Sequence, residues 1–189
     1  MNKGVKLPVV NFQTRVRDES IGGDNPYRWQ TVRSDALFGS DDIKKRVVVF
    51  SLPGAFTPTC STFQLPDFER LMAEGEFAKY GIDDVYCVSV NDSFVMNCWA
   101  RDQKLENVKV VPDGSGEFTR KMGMLVDKDN LGFGMRSWRY AMIVKDGVIE
   151  AFLPEEGFRD NADDDPYGES SPQNVLEVLA SLEPAVAPV

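Results

Sequence analysis

Cys60 is the residue around which chemistry can be built. It closes the segment PGAFTPTCS (Pro53–Ser61), which follows a short apolar, β-branched run, RVVVFSL, and precedes apolar residues at helical spacing. A cysteine between a buried strand and a helix meets the free N–H groups and partial positive charge of the helix start, which stabilise a thiolate. Thr57 stands three residues earlier, so its hydroxyl can reach the sulfur or an oxygen of a bound substrate. Pro53 and Pro58 stiffen the turn and shield the sulfur. A lone cysteine is often only a small buried hydrophobe, but these neighbours argue for a nucleophile. The chain has 0 histidines, which excludes Ser-His-Asp and Cys-His hydrolases and every His-ligated metal site. Its 3 cysteines cannot form a four-thiolate centre, so no metal and no cofactor is expected. A thiolate without a general base needs a substrate that requires none. A peroxide fits, because its O–O bond is weak and breaks to hydroxide or an alcohol.

The elements that must position Cys60 are legible as an alternation. Arg46–Leu52 reads as a strand buried on both faces. A helix is predicted over about Thr59–Tyr80, with a kink or broken first turn at Pro66. Val85–Val90 is a second buried strand, and Asn91-Asp92 caps a helix over about Ser93–Lys104. Val108–Val111 is a third strand, and a helix over about Gly116–Met122 follows the Asp113-Gly114 turn. Arg139–Lys145 and Val148–Leu153 flank Asp146-Gly147, a hairpin signal, and a last helix spans about Pro172–Leu182. Ahead of this core lie strands including Tyr27–Val32 and a short helix near Ser34–Phe38. The order predicts an α/β, thioredoxin-like fold: a mixed central sheet with helices on both faces and an N-terminal β extension. A single domain is expected across residues 1–189, with a short disordered tail from about 183 to 189.

Composition limits the partners. The 189 residues carry a net charge of −9, which disfavours nucleic acid and anionic membrane surfaces. Residues Glu155–Glu169 contain seven acids and one base, Arg159, and read as a solvated loop. The start MNKGVKLPVVNFQ lacks the apolar core of a signal peptide, and an odd cysteine count suits a reducing, cytoplasmic location.

PGAFTPTCS resembles the active-site signature of peroxiredoxins, specifically the type II branch of plants and bacteria. SVNDSFVMNCWA (Ser89–Ala100), PDGSGEFTRKMGM (Pro112–Met124) and LGFGMRSWRYAMIV (Leu131–Val144) resemble the same family in order and spacing. The likeness is greatest to the peroxiredoxin half of bacterial peroxiredoxin–glutaredoxin hybrids. It implies reduction of hydrogen peroxide and alkyl hydroperoxides through a sulfenic acid on Cys60, with Thr57 as hydrogen-bond partner, Pro53 as shield and Arg139 as the cation near the sulfur. Arg136 is the rival arginine; on a flat strand it would face away from Arg139. Gln64 stands where relatives have a histidine, as a packing and hydrogen-bonding residue. Leu131 and Phe133 are candidates for an apolar rim for alkyl peroxides, or for ordinary packing. Cys98, mid-helix, reads as packing. Cys87, inside a buried strand, is either packing or the resolving cysteine found at the matching position in plant relatives. The resemblance further implies recycling by glutathione with glutaredoxin, or by thioredoxin, and a homodimer. Two other readings stand beside it. A thiol–disulfide oxidoreductase would need a CxxC pair, which Cys60 lacks. A peroxide sensor or holdase-like binding protein would oxidise once at Cys60 without turnover.

Overall fold

Strand β3 (Arg46–Ser51) is the axis of the molecule, and all six of its residues are buried. Side chains alternate across a strand: Val47 and Val49 enter one apolar cluster, Val48 and Phe50 the other. In a computed structural model, which describes residues 1–182, β3 pairs in parallel with β4 (Asp84–Ser89), and β4 with β5 (Lys109–Pro112). On its other edge β3 pairs antiparallel with β8 (Tyr140–Lys145), and β8 with β9 (Val148–Pro154). The result is the five-stranded mixed sheet β5-β4-β3-β8-β9. The β8–β9 turn puts Asp146 at φ 52° and Gly147 at φ 78°, the left-handed pair of a tight hairpin. The predicted tail at 183–189 lies outside the described residues.

Helices cover both faces. α1 (Ser34–Phe38) and α4 (Glu117–Lys121) close the first cluster with Phe38 and Phe118. α2 (Leu65–Ala73), α3 (Ser93–Asp102) and α5 (Pro172–Leu182) close the second with Phe68, Trp99 and Val175. Asp92 caps α3, its carboxylate accepting from the Val95 N–H at 2.9 Å. The N-terminal extension is a hairpin of β1 (Asn11–Arg17) and β2 (Tyr27–Arg33). A smaller hairpin joins β6 (Leu125–Asp127) to β7 (Met135–Ser137). With only three residues each, β6 and β7 are too short to display a period of two. None of the described helices is long and apolar enough to cross a membrane.

Three local expectations are corrected. The helix predicted over Thr59–Tyr80 has the broken first turn expected at Pro66, a π-helical turn at Cys60–Gln64 ahead of α2, but α2 stops at Ala73 and a separate turn covers Ala78–Tyr80. Pro66 has no N–H for the usual bond four residues back, and the preceding Leu65 N–H reaches the more distant Cys60 carbonyl instead. Cys98 is exposed on α3 rather than packed; Met96 and Trp99 take the buried positions of that helix. Residues 155–169 are not simply a solvated loop. Glu155 is buried, and its carboxylate accepts from the backbone N–H groups of Gly168, Glu169 and Ser170.

Candidate active site

The helical run begins at Pro58, directly after the Pro53–Thr57 turn. Proline suits a first helical position, where its missing N–H removes no intrahelical bond. Cys60 therefore lies in the first turn, as expected, and opens the π-helical segment. It is 0% exposed and belongs to the same buried cluster as Phe50, Leu52, Cys87 and Trp99. The turn is tied down at several points. The Thr57 hydroxyl donates to the Gly54 carbonyl at 2.8 Å, which leaves its oxygen lone pairs free to accept. The Ala55 N–H donates to Asn91 Oδ1 at 3.0 Å, linking the turn to the end of β4. Phe56 adopts φ 64°, a left-handed conformation that is costly for an aromatic residue and is often found at functional turns. Trp99 Nε1 donates to Ser61 Oγ at 3.0 Å, so an indole ring stands one residue from Cys60.

Both arginines reach this turn. Arg139 is 2% exposed, and its Nη1 donates to Cys60 Sγ at 3.3 Å and to Gln64 Oε1 at 2.5 Å. Its Nη2 donates to Asp165 Oδ1 at 2.5 Å. Arg136 Nη1 donates to the Pro53 carbonyl at 3.1 Å, and its guanidinium lies 5.2 Å from the centre of the Phe133 ring. The expectation that the two arginines face opposite ways fails for a structural reason. β7 ends at Ser137 and β8 begins at Tyr140, so the chain passes from one hairpin to another between them and strand parity does not carry across. Burial pulls the Arg139 guanidinium down, yet the neighbouring Cys60 and Asp165 charges and hydrogen bonds outweigh it and hold Arg139 above its ordinary value.

Gln64 extends the network. Its Nε2 donates to Ser170 Oγ at 3.3 Å, and that hydroxyl donates to Glu155 Oε1 at 2.8 Å. One polar chain thus runs from Cys60 through Arg139 and Gln64 to the base of the acidic loop. Asp165, Ser170 and Glu155 escaped the sequence reading, because an acidic loop has no periodicity that marks which carboxylate turns inward. Of the proposed rim, Phe133 is drawn to the site through Arg136 and the Pro53 carbonyl, whereas Leu131 is 54% exposed at the tip of its turn.

Cys87 shares the apolar cluster of Cys60. Its strand is paired on both sides, Cys87 lying opposite Phe50 and Val110. Burial pushes its thiol well above the ordinary range; the Cys60 charge pushes the same way and Arg139 opposes it.

The arrangement is a buried thiol with a fixed cation at hydrogen-bond distance, in a turn whose hydroxyl can accept a further hydrogen bond. Comparison with known proteins agrees with this chemistry. Residues 36–164 match the Redoxin family model. A peroxiredoxin of Rhizobium etli is 65% identical over 174 residues, covering 92% of this chain and 94% of that protein. The hybrid peroxiredoxin hyPrx5 of Haemophilus influenzae is 48% identical over 178 residues, covering 94% of this chain and 66% of that longer protein. Among solved structures, a 1-Cys peroxiredoxin of Plasmodium falciparum superposes with a TM-score of 0.84 at 33% identity, covering 95% of this chain and 99% of that one.

Proposed function

The chain belongs to the redoxin family and is a peroxiredoxin, a thiol-dependent peroxidase, and from that premise we propose that Cys60 is the thiol that attacks the peroxide. The observation that carries this reading is the 3.3 Å contact between Arg139 Nη1 and Cys60 Sγ. The thiolate attacks one peroxide oxygen in line with the O–O bond. The S–O bond forms, the O–O bond breaks, and the departing alkoxide or hydroxide takes up a proton. Sulfur is oxidised to the sulfenic acid and the peroxide is reduced to alcohol or water. Arg139 stabilises the thiolate and the charge that develops on the two oxygens, and it is already in place before substrate arrives. The Thr57 oxygen accepts from the peroxide O–H, and Pro53 screens the sulfur from bulk water. Phe133, held against Arg136, borders the approach and favours alkyl peroxides.

An external thiol restores the enzyme. It condenses with the sulfenic acid to a mixed disulfide and water, and a second thiol releases Cys60. The 48% identity to a hybrid peroxiredoxin supports glutathione with glutaredoxin ahead of thioredoxin. A cytoplasmic homodimer built from one domain completes the reading. Stopped-flow peroxide consumption with each donor system in turn tests it. Sustained turnover with a thiol donor is expected, whereas a sensor or holdase would consume one equivalent and stop.

In the absence of added thiol, Cys87 is the in-chain partner for oxidised Cys60. Disulfide formation brings the two Cα atoms to about 7 Å or less, and Cys87 is held in the sheet, so the Cys60 turn must unwind toward it. Its thiol is buried and poorly ionised, which makes this route slow. After one equivalent of peroxide, non-reducing peptide mapping is expected to show a Cys60–Cys87 disulfide that accumulates slowly and is suppressed by excess glutathione. Only sulfenic or over-oxidised Cys60, with Cys87 still alkylatable after denaturation, would show a one-cysteine enzyme.

A further inference from the structure

The polar chain behind Arg139 has a fixed direction. A guanidinium only donates, so the Gln64 amide must meet Arg139 Nη1 with its oxygen, and it does so at 2.5 Å. Its nitrogen is thereby turned to Ser170, whose Oγ accepts at 3.3 Å. A hydroxyl has a single hydrogen, and that of Ser170 goes to Glu155 Oε1 at 2.8 Å. A carboxylate only accepts. The chain therefore ends in a group that can only donate and a group that can only accept. Neither neutral link can turn over without setting two donors or two acceptors face to face. Arg139, Gln64, Ser170 and Glu155 are all buried, so bulk water does not compete for these bonds. Glu155 is itself anchored. Its carboxylate also accepts from the backbone N–H groups of Gly168, Glu169 and Ser170, and its own N–H donates to the Arg139 carbonyl at 3.0 Å. One residue is thus bonded to the main chain of Arg139 and, through Ser170 and Gln64, to its guanidinium. Because Gln64 takes one hydrogen of Nη1, the other is aimed at Cys60 Sγ, 3.3 Å away.

We propose that Glu155 is a positioning residue for the peroxide reaction: acting through the Ser170 hydroxyl and the Gln64 amide, it holds Arg139 Nη1 on the Cys60 sulfur. This rests on the reading that Arg139 serves Cys60, and it gives the base of the acidic loop a part in the reaction that the loop's charge alone does not.

The test reads the second-order rate constant for oxidation of the full chain by hydrogen peroxide. Ser170→Ala removes the linking hydroxyl and leaves the three backbone bonds to Glu155 in place; Glu155→Gln keeps the shape and removes the charge. Each is expected to lower the constant about fivefold, the worth of one hydrogen bond, with the near-ultraviolet circular dichroism spectrum unchanged. In an Arg139→Gln background the same two changes are expected to move the constant by less than about twofold, because groups that act through a shared partner are not additive. A loss of equal size in both backgrounds would mark a general loosening of the loop and overturn the proposal. So would an unchanged constant in folded Ser170→Ala. Should Ser170→Ala fail to fold, the Glu155→Gln cycle is read by the same criteria. If Arg139→Gln alone leaves the constant unchanged, the reading of Arg139 falls and takes this one with it. If it slows the reaction and the losses add, only the role of Glu155 falls.

Discussion

Cys60→Ser protein is expected to consume peroxide no faster than buffer, while Cys98→Ser retains the original rate. The first change substitutes an oxygen of nearly the same size, so the turn around it and the Arg139 guanidinium keep their places, but a hydroxyl is almost wholly un-ionised at neutral pH and is a poor nucleophile toward peroxide. The second touches an exposed side chain on α3, on a helix whose buried positions belong to Ser93, Met96 and Trp99. Because Cys98 is exposed, it can itself be oxidised slowly, so the comparison is best made on the fast phase. Stopped-flow fluorescence suits it: the Trp99 indole donates to Ser61, next to the reacting sulfur. A Cys60→Ser protein that still consumed peroxide at the original rate would remove Cys60 from the mechanism, whatever the family resemblance.

Arg139→Gln is expected to slow the second-order reaction with peroxide by about 100- to 1,000-fold, the usual loss for a preorganised donor at the reacting atoms. Arg139 is the group that contacts Cys60 Sγ and Gln64 Oε1 together, and glutamine supplies neither its charge nor its reach. The fold is expected to survive. The side chain of Asp165 is 48% exposed, so water can take over its freed carboxylate. The buried Gln64 oxygen is less fortunate, and leaving such an acceptor unpaired costs about 1–3 kcal/mol, visible as a lower denaturation midpoint. Arg136→Gln is the control. Arg136 holds the Pro53 carbonyl rather than the sulfur, so its loss loosens the turn and costs less rate. An unchanged rate in Arg139→Gln, or a larger loss in Arg136→Gln, would transfer the role to Arg136.

The framework of the molecule is legible in its sequence. β3 and β4 are short apolar runs, Asp92 caps α3, Asp146-Gly147 turns the β8–β9 hairpin, and Pro172 opens the last helix. Each is a local signal, set by side-chain period, capping or allowed φ within a few residues. The same holds for the turn before Cys60, where two prolines and a threonine at fixed spacing reveal a positioned thiol. What local signals missed lay where a partner intervened: β1, with few apolar residues, became a strand by pairing with β2.

The sequence by itself marked the proposed reactive centre, because Cys60, Thr57 and Pro53 belong to one continuous segment and their relation follows from backbone geometry. Tertiary structure alone decided what surrounds that centre. Arg139, which only the family resemblance placed near the sulfur, comes from the other side of β3, and Asp165 from an acidic loop in which seven carboxylates look alike. Which acid pairs with which cation depends on distances across the fold, and Coulomb and hydrogen-bond energies fall off within a few ångströms. Sequence order carries no record of those distances. It could therefore mark the thiol, but not the ion pair that Arg139 and Asp165 form beside it.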